Sequence, residues 1–432
     1  MKLLVIKVFA LSVVLLLGLR LTDHFFADKH FYKQTITHLR DGTPYDMVIL
    51  GSSRAHSSYD PRVFESELGL NTINLGAPAQ KLDATILSAQ QSFKNSDPKL
   101  VLIDIFDLSI SRIINEKQTL DQFMTLNQFP WSWSKFNAAR RISGDSISLE
   151  MLSTTVRNHG AWPEVLARDF SVSNSVFNSL DFYKGYRAYF RQIDSTGWAK
   201  FLQKYEGKNE LKRELNLSDY EKEQIDRLVE VLKDHNCEML FLNAPTFVFD
   251  VSARARAYSK AIGSYLQQLG LRYLDLNEIK TELGLGREHF SDPNHLNVQG
   301  AQLVSAYLSG FIAQEFDLPA LKPESINLDG NRYELLNNDE QISDLFVLQT
   351  SPYRAELIIN VEADDPLDVP VVIFNGRKEL KFKLSHLNLI QLQNKDYLIL
   401  PFNLESDLSE FLRIKIDGKQ MDVSQIYIST NR

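Results

Sequence analysis

One short stretch decides the fold of this chain: Asp46-Met-Val-Ile-Leu-Gly-Ser-Ser-Arg54. Residues 46–50 have the nearly continuous hydrophobicity that is typical of a parallel strand covered by helices on both faces. Gly51 then lets the chain turn sharply, so that Ser52 and Ser53 lie at the carboxyl end of the strand, where open α/β sheets bind their ligands. The stretch therefore predicts an open parallel sheet with hydroxyl groups at its ligand-binding edge. An ordinary strand-to-helix turn is the alternative interpretation of the same residues.

The alternation of strands and helices continues along the chain. Further strands are predicted at 71–75, 99–104, 238–242 and 271–275, and helices at 60–68, 80–93, 219–235, 252–269 and 298–315. This order indicates an α/β domain with right-handed crossovers. Residues 110–218 interrupt it and are too long for a simple loop, so they predict a largely helical insertion, which contains all four tryptophans.

The two ends of the chain differ in character from this domain, which we place at residues 22–318. Residues 319–432 consist of short alternating strands separated by turn signals, and this pattern predicts an accessory β-sandwich. Residues 1–21 carry two lysines, then an apolar run that Arg20 closes, and they predict a signal anchor that leaves the rest of the chain outside the cytoplasm, in the periplasm or at the cell surface. A cleaved signal peptide is the alternative.

Composition excludes several classes of function. Aspartate and glutamate (55) outnumber lysine and arginine (47), which gives a formal net charge of −8, so we expect no nucleic-acid partner. The single cysteine, Cys237, excludes a disulfide framework and any cysteine-based metal centre. The histidines lack metal-ligand spacing, and no glycine-rich phosphate loop is present, so we expect neither a metal nor a cofactor.

Two further motifs follow predicted strands or precede helices. Asn74-Leu-Gly76 ends the second strand, where a glycine N–H can approach a ligand closely, although a tight turn would need the same glycine. Asp292-Pro-Asn-His295 precedes the last helix of the domain. Nucleophilic serine catalysis needs a base and a carboxylate that orients it, and this spacing can place the two side by side. An Asp helix cap with a surface histidine is the alternative.

Taken together in this order, the three motifs resemble the SGNH (GDSL-like) hydrolase superfamily over about residues 45–318. The resemblance implies an SGNH-type parallel sheet with flanking helices. It implies Ser53 as the nucleophile, His295 as the base and Asp292 as the orienting carboxylate. It also implies an oxyanion hole formed by the N–H groups of Ser53 and Gly76.

Two positions depart from the superfamily pattern. Ser52 stands where an aspartate is often found, and Asp104-Ile-Phe-Asp107 stands where Gly-x-Asn-Asp would supply a third oxyanion donor. Losing one such donor costs about 3 kcal/mol of transition-state stabilisation. Asp104 and Asp107 themselves resemble a carboxylate pair, with strand-end turn residues as the alternative.

Within the superfamily, the chain looks most like the envelope acylation proteins, such as the D-alanyl-lipoteichoic acid biosynthesis protein and the alginate O-acetyltransferases. This resemblance implies serine-dependent acyl-ester chemistry, namely O-acetyl transfer to, or removal from, a surface polysaccharide or other acylated glycan, with a multipass membrane acyltransferase as a partner. A plain carbohydrate or lipid esterase and a non-catalytic envelope scaffold remain as alternatives.

Three residues are candidates for substrate binding. Arg54 follows the nucleophile and could meet an anionic group, although a solvated helix face is the alternative. Trp131 and Trp133 offer flat faces on which sugar rings could stack, with packing inside the insertion as the alternative.

Overall fold

The computed structural model describes residues 2–25, 31–40, 42–111, 122, 125–143, 153–157, 160, 182–205, 215–235 and 237–318, together with the strands between 333 and 428. Trp162 and residues 319–332 and 417–418 lie outside the described residues. In chain order up to residue 318, the strands are β1 (Met47–Leu50), β2 (Thr72–Asn74), β3 (Leu100–Asp104), β4 (Phe182–Tyr183), β5 (Tyr186–Arg187), β6 (Glu238–Asn243), β7 (Arg272–Asp275), β8 (Phe290–Asp292) and β9 (His295–Leu296).

The helices of the same region surround these strands. They are α1 (Lys2–Phe25), α2 (Phe31–Arg40), α3 (Ser53–Ser58), α4 (Pro61–Leu68), α5 (Leu82–Ser92), α6 (Asp107–Ile110), α7 (Trp133–Ser143), α8 (Thr154–Arg157), α9 (Ser195–Tyr205), α10 (Asp219–Lys233), α11 (Phe247–Val251), α12 (Ala253–Gln268) and α13 (Val298–Glu315).

The centre of the domain is a parallel sheet. Its strand order among the described residues is β2-β1-β3-β6-β7, and every neighbouring pair is parallel. This confirms the α/β fold with a parallel sheet and flanking helices that the sequence predicts. Helix α3 is an addition to that prediction, because the chain enters a helix at Ser53 directly after the first strand.

Both faces of the sheet are covered by apolar cores. Side chains alternate along a strand, so Val48 and Leu50 face one core while Met47 and Ile49 face the other. Helices α5, α10 and α12 contribute to the first core, and α3, α4 and α13 contribute to the second. All four residues of β1 are buried. The carboxyl ends of the strands are therefore the part of the sheet that is left for polar groups.

The insertion contains a β-hairpin as well as helices. Strands β4 and β5 pair antiparallel, and the turn between them uses positive φ angles of 44° at Lys184 and 90° at Gly185. The backbone N–H of Asn74 donates to the carbonyl of Lys184 at 2.8 Å. A Cβ at Gly185 would overlap the carbonyl oxygen of Asn74, so only glycine allows the hairpin to lie this close to β2. The prediction of a largely helical insertion missed this hairpin.

The C-terminal strands form two antiparallel sheets. They are β10 (Tyr333–Glu334), β11 (Ile342–Ser351), β12 (Arg354–Val361), β13 (Pro370–Asn375), β14 (Lys378–Lys383), β15 (Asn388–Leu392), β16 (Lys395–Asn403), β17 (Leu412–Ile416), β18 (Lys419–Asp422) and β19 (Tyr427–Ile428). One described sheet has the order β15-β16-β12-β11-β10-β19 and the other β14-β13-β17-β18. The packing of the two sheets as a separate sandwich domain stays a prediction.

Helix α1 contains a segment that is long and apolar enough to cross a membrane. Leu4–Asp23 has 20 residues, a mean hydropathy of 2.4 and no burial against the rest of the protein. A signal sequence has the same properties, so these values alone fit both an anchor and a cleaved signal.

Candidate active site

Ser53 occupies the first position of α3, directly after the turn that ends β1. Gly51 makes this turn with a φ of 149°. A Cβ at Gly51 would lie 2.7 Å from Cβ of Ala55 and 3.0 Å from Cβ of Asp104, so no larger residue fits. The side chain of Ser52 accepts a hydrogen bond from the N–H of Arg54 at 3.4 Å and caps the helix. The local sequence thus presents the hydroxyl of Ser53 at the carboxyl edge of the sheet.

Asp292 and His295 lie on a small hairpin formed by β8 and β9. They are paired across its two strands, and the N–H of Asn294 donates to Oδ1 of Asp292 at 2.8 Å, which closes the turn. Asn297 follows and caps α13 by accepting a hydrogen bond from the N–H of Gly300 at 3.1 Å. The motif before the last helix therefore builds a rigid turn in which carboxylate and imidazole share one side.

The structure brings Ser53, His295 and Asp292, which we call the triad, into one hydrogen-bonded series. Oγ of Ser53 lies 2.9 Å from Nε2 of His295. Nδ1 of His295 lies 2.8 Å from Oδ2 and 3.0 Å from Oδ1 of Asp292. A carboxylate in this position holds the imidazole as the tautomer whose Nε2 can accept the proton of the serine hydroxyl. The arrangement can activate a serine for attack on a carbonyl carbon.

The charge on Asp292 is stabilised by its neighbours. Burial raises the pKa of this carboxyl, but the hydrogen bond and charge of His295, the N–H of Asn294 and the charge of Arg191 outweigh burial and hold the pKa below its ordinary value. Nη2 of Arg191 lies 4.0 Å from Oδ2 of Asp292. The carboxylate is therefore ionised at neutral pH, as an orienting partner must be.

The two N–H groups that the superfamily resemblance assigns to the oxyanion hole differ in whether they already have a hydrogen-bond acceptor. Ser53 is the first residue of α3, so its N–H has no acceptor within the helix. The N–H of Gly76, in contrast, donates to Oδ1 of Asn74 at 2.9 Å. Gly76 lies against the backbone of α3, since a Cβ there would be 2.7 Å from the backbone nitrogen of His56. Its role as an oxyanion donor stays a prediction that requires the Asn74 side chain to release it.

Asn74 ties α3, the helix that begins with Ser53, to the second strand. Its side chain is fully buried, and Nδ2 donates to the carbonyls of Ala55 and Tyr59, each at 2.9 Å. Together with the bond to Gly76, this uses both ends of the amide. The asparagine of the Asn-x-Gly motif thus acts on the position of α3 rather than directly on a substrate.

Arg54 is buried, which differs from both interpretations of the sequence. Its exposed fraction is 6%, and Nη2 donates to Oδ1 of Asn243 at 2.6 Å and to the carbonyl of Ala244. Its guanidinium lies 4.4 Å from the centre of the Phe106 ring. These contacts hold Arg54 inside the protein and argue against a direct contact with substrate.

Polar residues end four of the five strands of the central sheet. They are Asn74, Asp104, Asn243 and Asp275, the last residues of β2, β3, β6 and β7. Burial raises the pKa of Asp104. The charge of Arg54 and the hydrogen bonds that Asp104 accepts from Ala244 and Tyr59 act in the opposite direction but are outweighed. Asp104 is therefore a buried strand-end residue that holds neighbouring groups, and a role in a catalytic carboxylate pair is not needed to explain it.

The insertion reaches the triad through Tyr189, which the sequence analysis did not single out. The centre of the Tyr189 ring lies 6.1 Å from that of His295, and its hydroxyl lies 3.3 Å from Nε2 of His56. Burial raises the pKa of Tyr189. The carbonyl of Tyr189 accepts a hydrogen bond from the N–H of Val298 at 2.9 Å. This bond fixes the segment around Tyr189 to the start of α13. The sequence feature that could have indicated Tyr189 is the high content of tyrosine and arginine over residues 183–191.

Trp131 and Trp133 occupy a different part of the described structure. Nε1 of Trp131 donates to Oδ2 of Asp23 at the end of α1, at 3.1 Å. Trp133 is 74% exposed and stacks on Phe136, with 5.1 Å between the ring centres. No hydrogen bond or ring contact in the described residues joins either tryptophan to the triad. The stacking of sugars on these rings stays a prediction that the structure gives no contact to support.

Within the described ranges, no group of three or more His, Cys, Asp or Glu side chains could hold a metal ion. A cavity of about 260 Å³ lies apart from the triad, between α5, α6, α7 and α10, and its lining includes Lys81, Asp83, Ser111 and Arg141. Burial lowers the pKa of Lys81 to about 8, and its Nζ donates to the backbone and side chain of Ser111. Ser53, His295 and Asp292 are not among the residues that line this cavity.

No model of a protein family matches the sequence, and no curated protein matches it. Among solved structures, a protein assigned as an acylhydrolase from Bacteroides fragilis is 11% identical and covers 64% of this chain and 93% of its own, with a TM-score of 0.32. A GDSL-like lipase from Bacteroides thetaiotaomicron is 12% identical and covers 66% of this chain and 100% of its own, with a TM-score of 0.31. A gut microbial diltiazem-metabolizing enzyme is 11% identical and covers 76% of this chain and 58% of its own, with a TM-score of 0.28. At these TM-scores the likeness adds nothing to the functional argument, which depends on the geometry of the site.

Proposed function

We propose that this chain is a serine-dependent acyl-ester enzyme of the SGNH (GDSL-like) type that acts outside the cytoplasm and adds O-acetyl groups to, or removes them from, a cell-surface polysaccharide. The observation that carries the proposal is the hydrogen-bonded series from Ser53 through His295 to Asp292. A hydroxyl, an imidazole and an ionised carboxylate in this order are what nucleophilic serine catalysis requires.

In the proposed reaction, Nε2 of His295 takes the proton of the Ser53 hydroxyl while Oγ forms a bond to the acetyl carbonyl carbon. The tetrahedral intermediate collapses when the ester C–O bond breaks, and His295 returns the proton to the leaving alkoxide. The acetyl group is then an ester of Ser53. Water or a sugar hydroxyl attacks this ester with His295 again as base, which yields acetate or an acetylated sugar and restores the hydroxyl of Ser53.

The negative oxygen of the intermediate needs donors that are already in place. We assign the N–H of Ser53 to this role, and the N–H of Gly76 once the Asn74 side chain has turned away from it. The chain after β3 has Asp104-Ile-Phe-Asp107 where a third, asparagine donor would stand. One missing donor costs about 3 kcal/mol, or on the order of a hundredfold in rate, so hydrolysis of small esters should be slow.

Two features support the finer parts of the proposal. The apolar, exposed segment Leu4–Asp23 is what an enzyme held at the outer face of a membrane would have, and a multipass membrane acyltransferase would be a suitable source of acetyl groups there. The C-terminal antiparallel sheets fit the accessory β-sandwich that the sequence predicts. The alginate O-acetyltransferases, which the chain resembles, include a member with a carbohydrate-binding sandwich at this end.

A plain esterase is the second candidate. It is favoured by the hydrogen bond between Trp131 and Asp23, because this contact directs one of the two proposed sugar-stacking residues toward α1. An esterase needs only a site for the acyl donor and access for water, whereas a transferase must also bind an acceptor and exclude water.

The two candidates can be separated by product analysis. The full chain is incubated with an activated acetyl ester and a panel of oligosaccharides, and the products are identified by mass spectrometry. We expect slow release of acetate and accumulation of an acetylated oligosaccharide, both abolished in Ser53→Ala and retained in Ser58→Ala on the same helix. Acetate without any acetylated sugar would leave the plain esterase, and no turnover by the wild type would leave the non-catalytic scaffold.

A further inference from the structure

We infer that α1 is a retained membrane span joined rigidly to the insertion, and that Trp131 and Trp133 lie in the headgroup region of the bilayer. The partner is the lipid surface itself, and this inference does not depend on the proposed chemistry. Four residues donate hydrogen bonds to Asp23 at the end of α1, and we call them the collar: Trp131, Ser153, Thr154 and Thr155.

Asp23 connects the last turn of the apolar segment to the collar. Its Oδ2 accepts a hydrogen bond from Nε1 of Trp131 at 3.1 Å, and its Oδ1 accepts from Oγ of Ser153 at 2.5 Å and from the N–H of Thr155 at 2.9 Å. Its backbone carbonyl accepts from Oγ1 of Thr154 at 3.0 Å. Bonds to several donors on two separate segments fix both the position and the direction of the helix end. A flexible tether would need none of them.

The last turn of α1 is held as well, by a hydrogen bond from Oγ1 of Thr155 to Oγ1 of Thr22 at 3.0 Å, whereas the apolar part of the helix before it is exposed. The segment from Leu4 to Asp23 is unburied, and its large apolar side chains are more than half exposed at most positions, with Phe9 at 70% and Leu21 at 69%. Twenty helical residues span about 30 Å, which is the thickness of the hydrocarbon core of a bilayer. A lipid bilayer is the environment in which such an exposed apolar helix surface is favourable. A helix that spans the hydrocarbon core places Asp23, at its end, at the boundary with the headgroups.

The two tryptophans lie at this same level. Trp131 is fixed to Asp23, and Trp133 follows two residues later with 74% of its surface exposed. Tryptophan is enriched at membrane–water boundaries because its ring is apolar while its N–H needs a polar partner. The exposed ring of Trp133, which would be unfavourable in water, thus has a suitable position in the headgroup layer.

The collar is in turn part of the folded domain. Trp133 begins α7, and Ala138 and Ala139 of this helix are buried in the same core as Leu87 of α5. The orientation of α1 is therefore transmitted through α7 to the central sheet. We expect the protein to stand at a fixed angle and height on the membrane, with the carboxyl edge of the sheet at a constant distance from the lipid.

The test uses the full chain reconstituted in vesicles of phosphatidylcholine that contain a lipid brominated near the headgroup end of its acyl chain. Bromine quenches nearby tryptophans. We expect Trp133→Phe to remove most of the quenchable emission, and Trp131→Phe to remove a smaller part. Trp198→Phe is the matched control, because Trp198 packs on Phe247, at 4.7 Å between ring centres, and should lie outside the reach of the bromine.

Two results would overturn the inference. Quenching that is unchanged in Trp133→Phe and in the double variant of Trp131 and Trp133 would show that these rings do not meet lipid. A mass of the membrane-derived protein that lacks residues 1–23 would show that the span is removed. Phenylalanine keeps the stacking on Phe136, and circular dichroism of each variant confirms that a change in quenching is not a change in fold.

Discussion

Oγ of Ser53 lies 2.9 Å from Nε2 of His295, although 242 residues separate the two in the sequence. Ser53 begins the helix that follows the first strand, and His295 lies on the hairpin before the last helix of the α/β domain, so both reach the same edge of the sheet. The carboxyl ends of parallel strands meet at that edge, so residues far apart in sequence converge there.

Replacing Asp292 with asparagine should lower kcat for an activated acetyl ester by at least about a hundredfold. The amide keeps the shape of the carboxylate but lacks the charge, and it allows the imidazole to adopt the wrong tautomer. Steady-state hydrolysis by the purified full chain measures the effect, with Asp234→Asn at the exposed end of α10 as the control. Equal activity of the two variants would show that Asp292 does not orient the base.

The same carboxylate predicts a pH dependence of stability. Folding lowers the pKa of Asp292 below its unfolded value of about 4, so its ionised form stabilises the folded state above that pH, and the stabilisation disappears as the pH falls through the folded pKa. We expect the difference in unfolding free energy between wild type and Asp292→Asn to be constant near neutral pH and to shrink below about pH 4. Denaturant titrations in detergent measure it. A difference that grows in acid would mean that the pKa is raised instead.

Arg54→Lys should destabilise the fold by about 3 kcal/mol, because a buried charge then loses partners that an ammonium group cannot bridge in the same way. Arg254→Lys, at an exposed position, should change the unfolding free energy by less than about 0.5 kcal/mol. Denaturant midpoints compare the two. If Arg54→Lys keeps wild-type stability and raises KM only for anionic substrates, then Arg54 contacts substrate after all.

Gly185→Ala should weaken both the fold and the activity. Gly185 and Gly42 have nearly the same φ, 90° and 87°, but only at Gly185 would a Cβ collide with another segment, at the carbonyl of Asn74. Gly42→Ala therefore measures the backbone cost alone, about 1 kcal/mol. We expect a larger loss of stability and lower turnover for Gly185→Ala, because the chain that carries Tyr189 to the site would be displaced. Equal losses would show that the docking of the hairpin is unimportant.

The sheet could be predicted from the sequence because its signals are local, whereas Ser53, His295 and Asp292 were indicated by the order of three short motifs that resembles the SGNH superfamily. Met47–Leu50 is a continuous apolar run before a glycine, and Asp292 and His295 are three residues apart. The burial of Arg54 could not be predicted, since its partner Asn243 is 189 residues away and nothing near Arg54 indicates it.

Two other features depend on contacts that the sequence does not encode locally. Tyr189 reaches the site because the hairpin before it fits against Asn74 through Gly185, which is a matter of shape between distant segments. Trp131 has the composition of a sugar-stacking residue, and only its hydrogen bond to Asp23 shows where it lies. Residue type predicts the chemistry that is available to a side chain, whereas long-range packing decides which site receives it.

Active-site labelling shows whether Ser53 is a nucleophile that His295 activates. The full chain is treated with a fluorophosphonate, and the modified peptide is identified by mass spectrometry. We predict labelling at Ser53, absent in Ser53→Ala, strongly slowed in His295→Gln and unchanged in Ser58→Ala. Labelling that persists in Ser53→Ala, or that occurs at another serine in the wild type, would contradict the account.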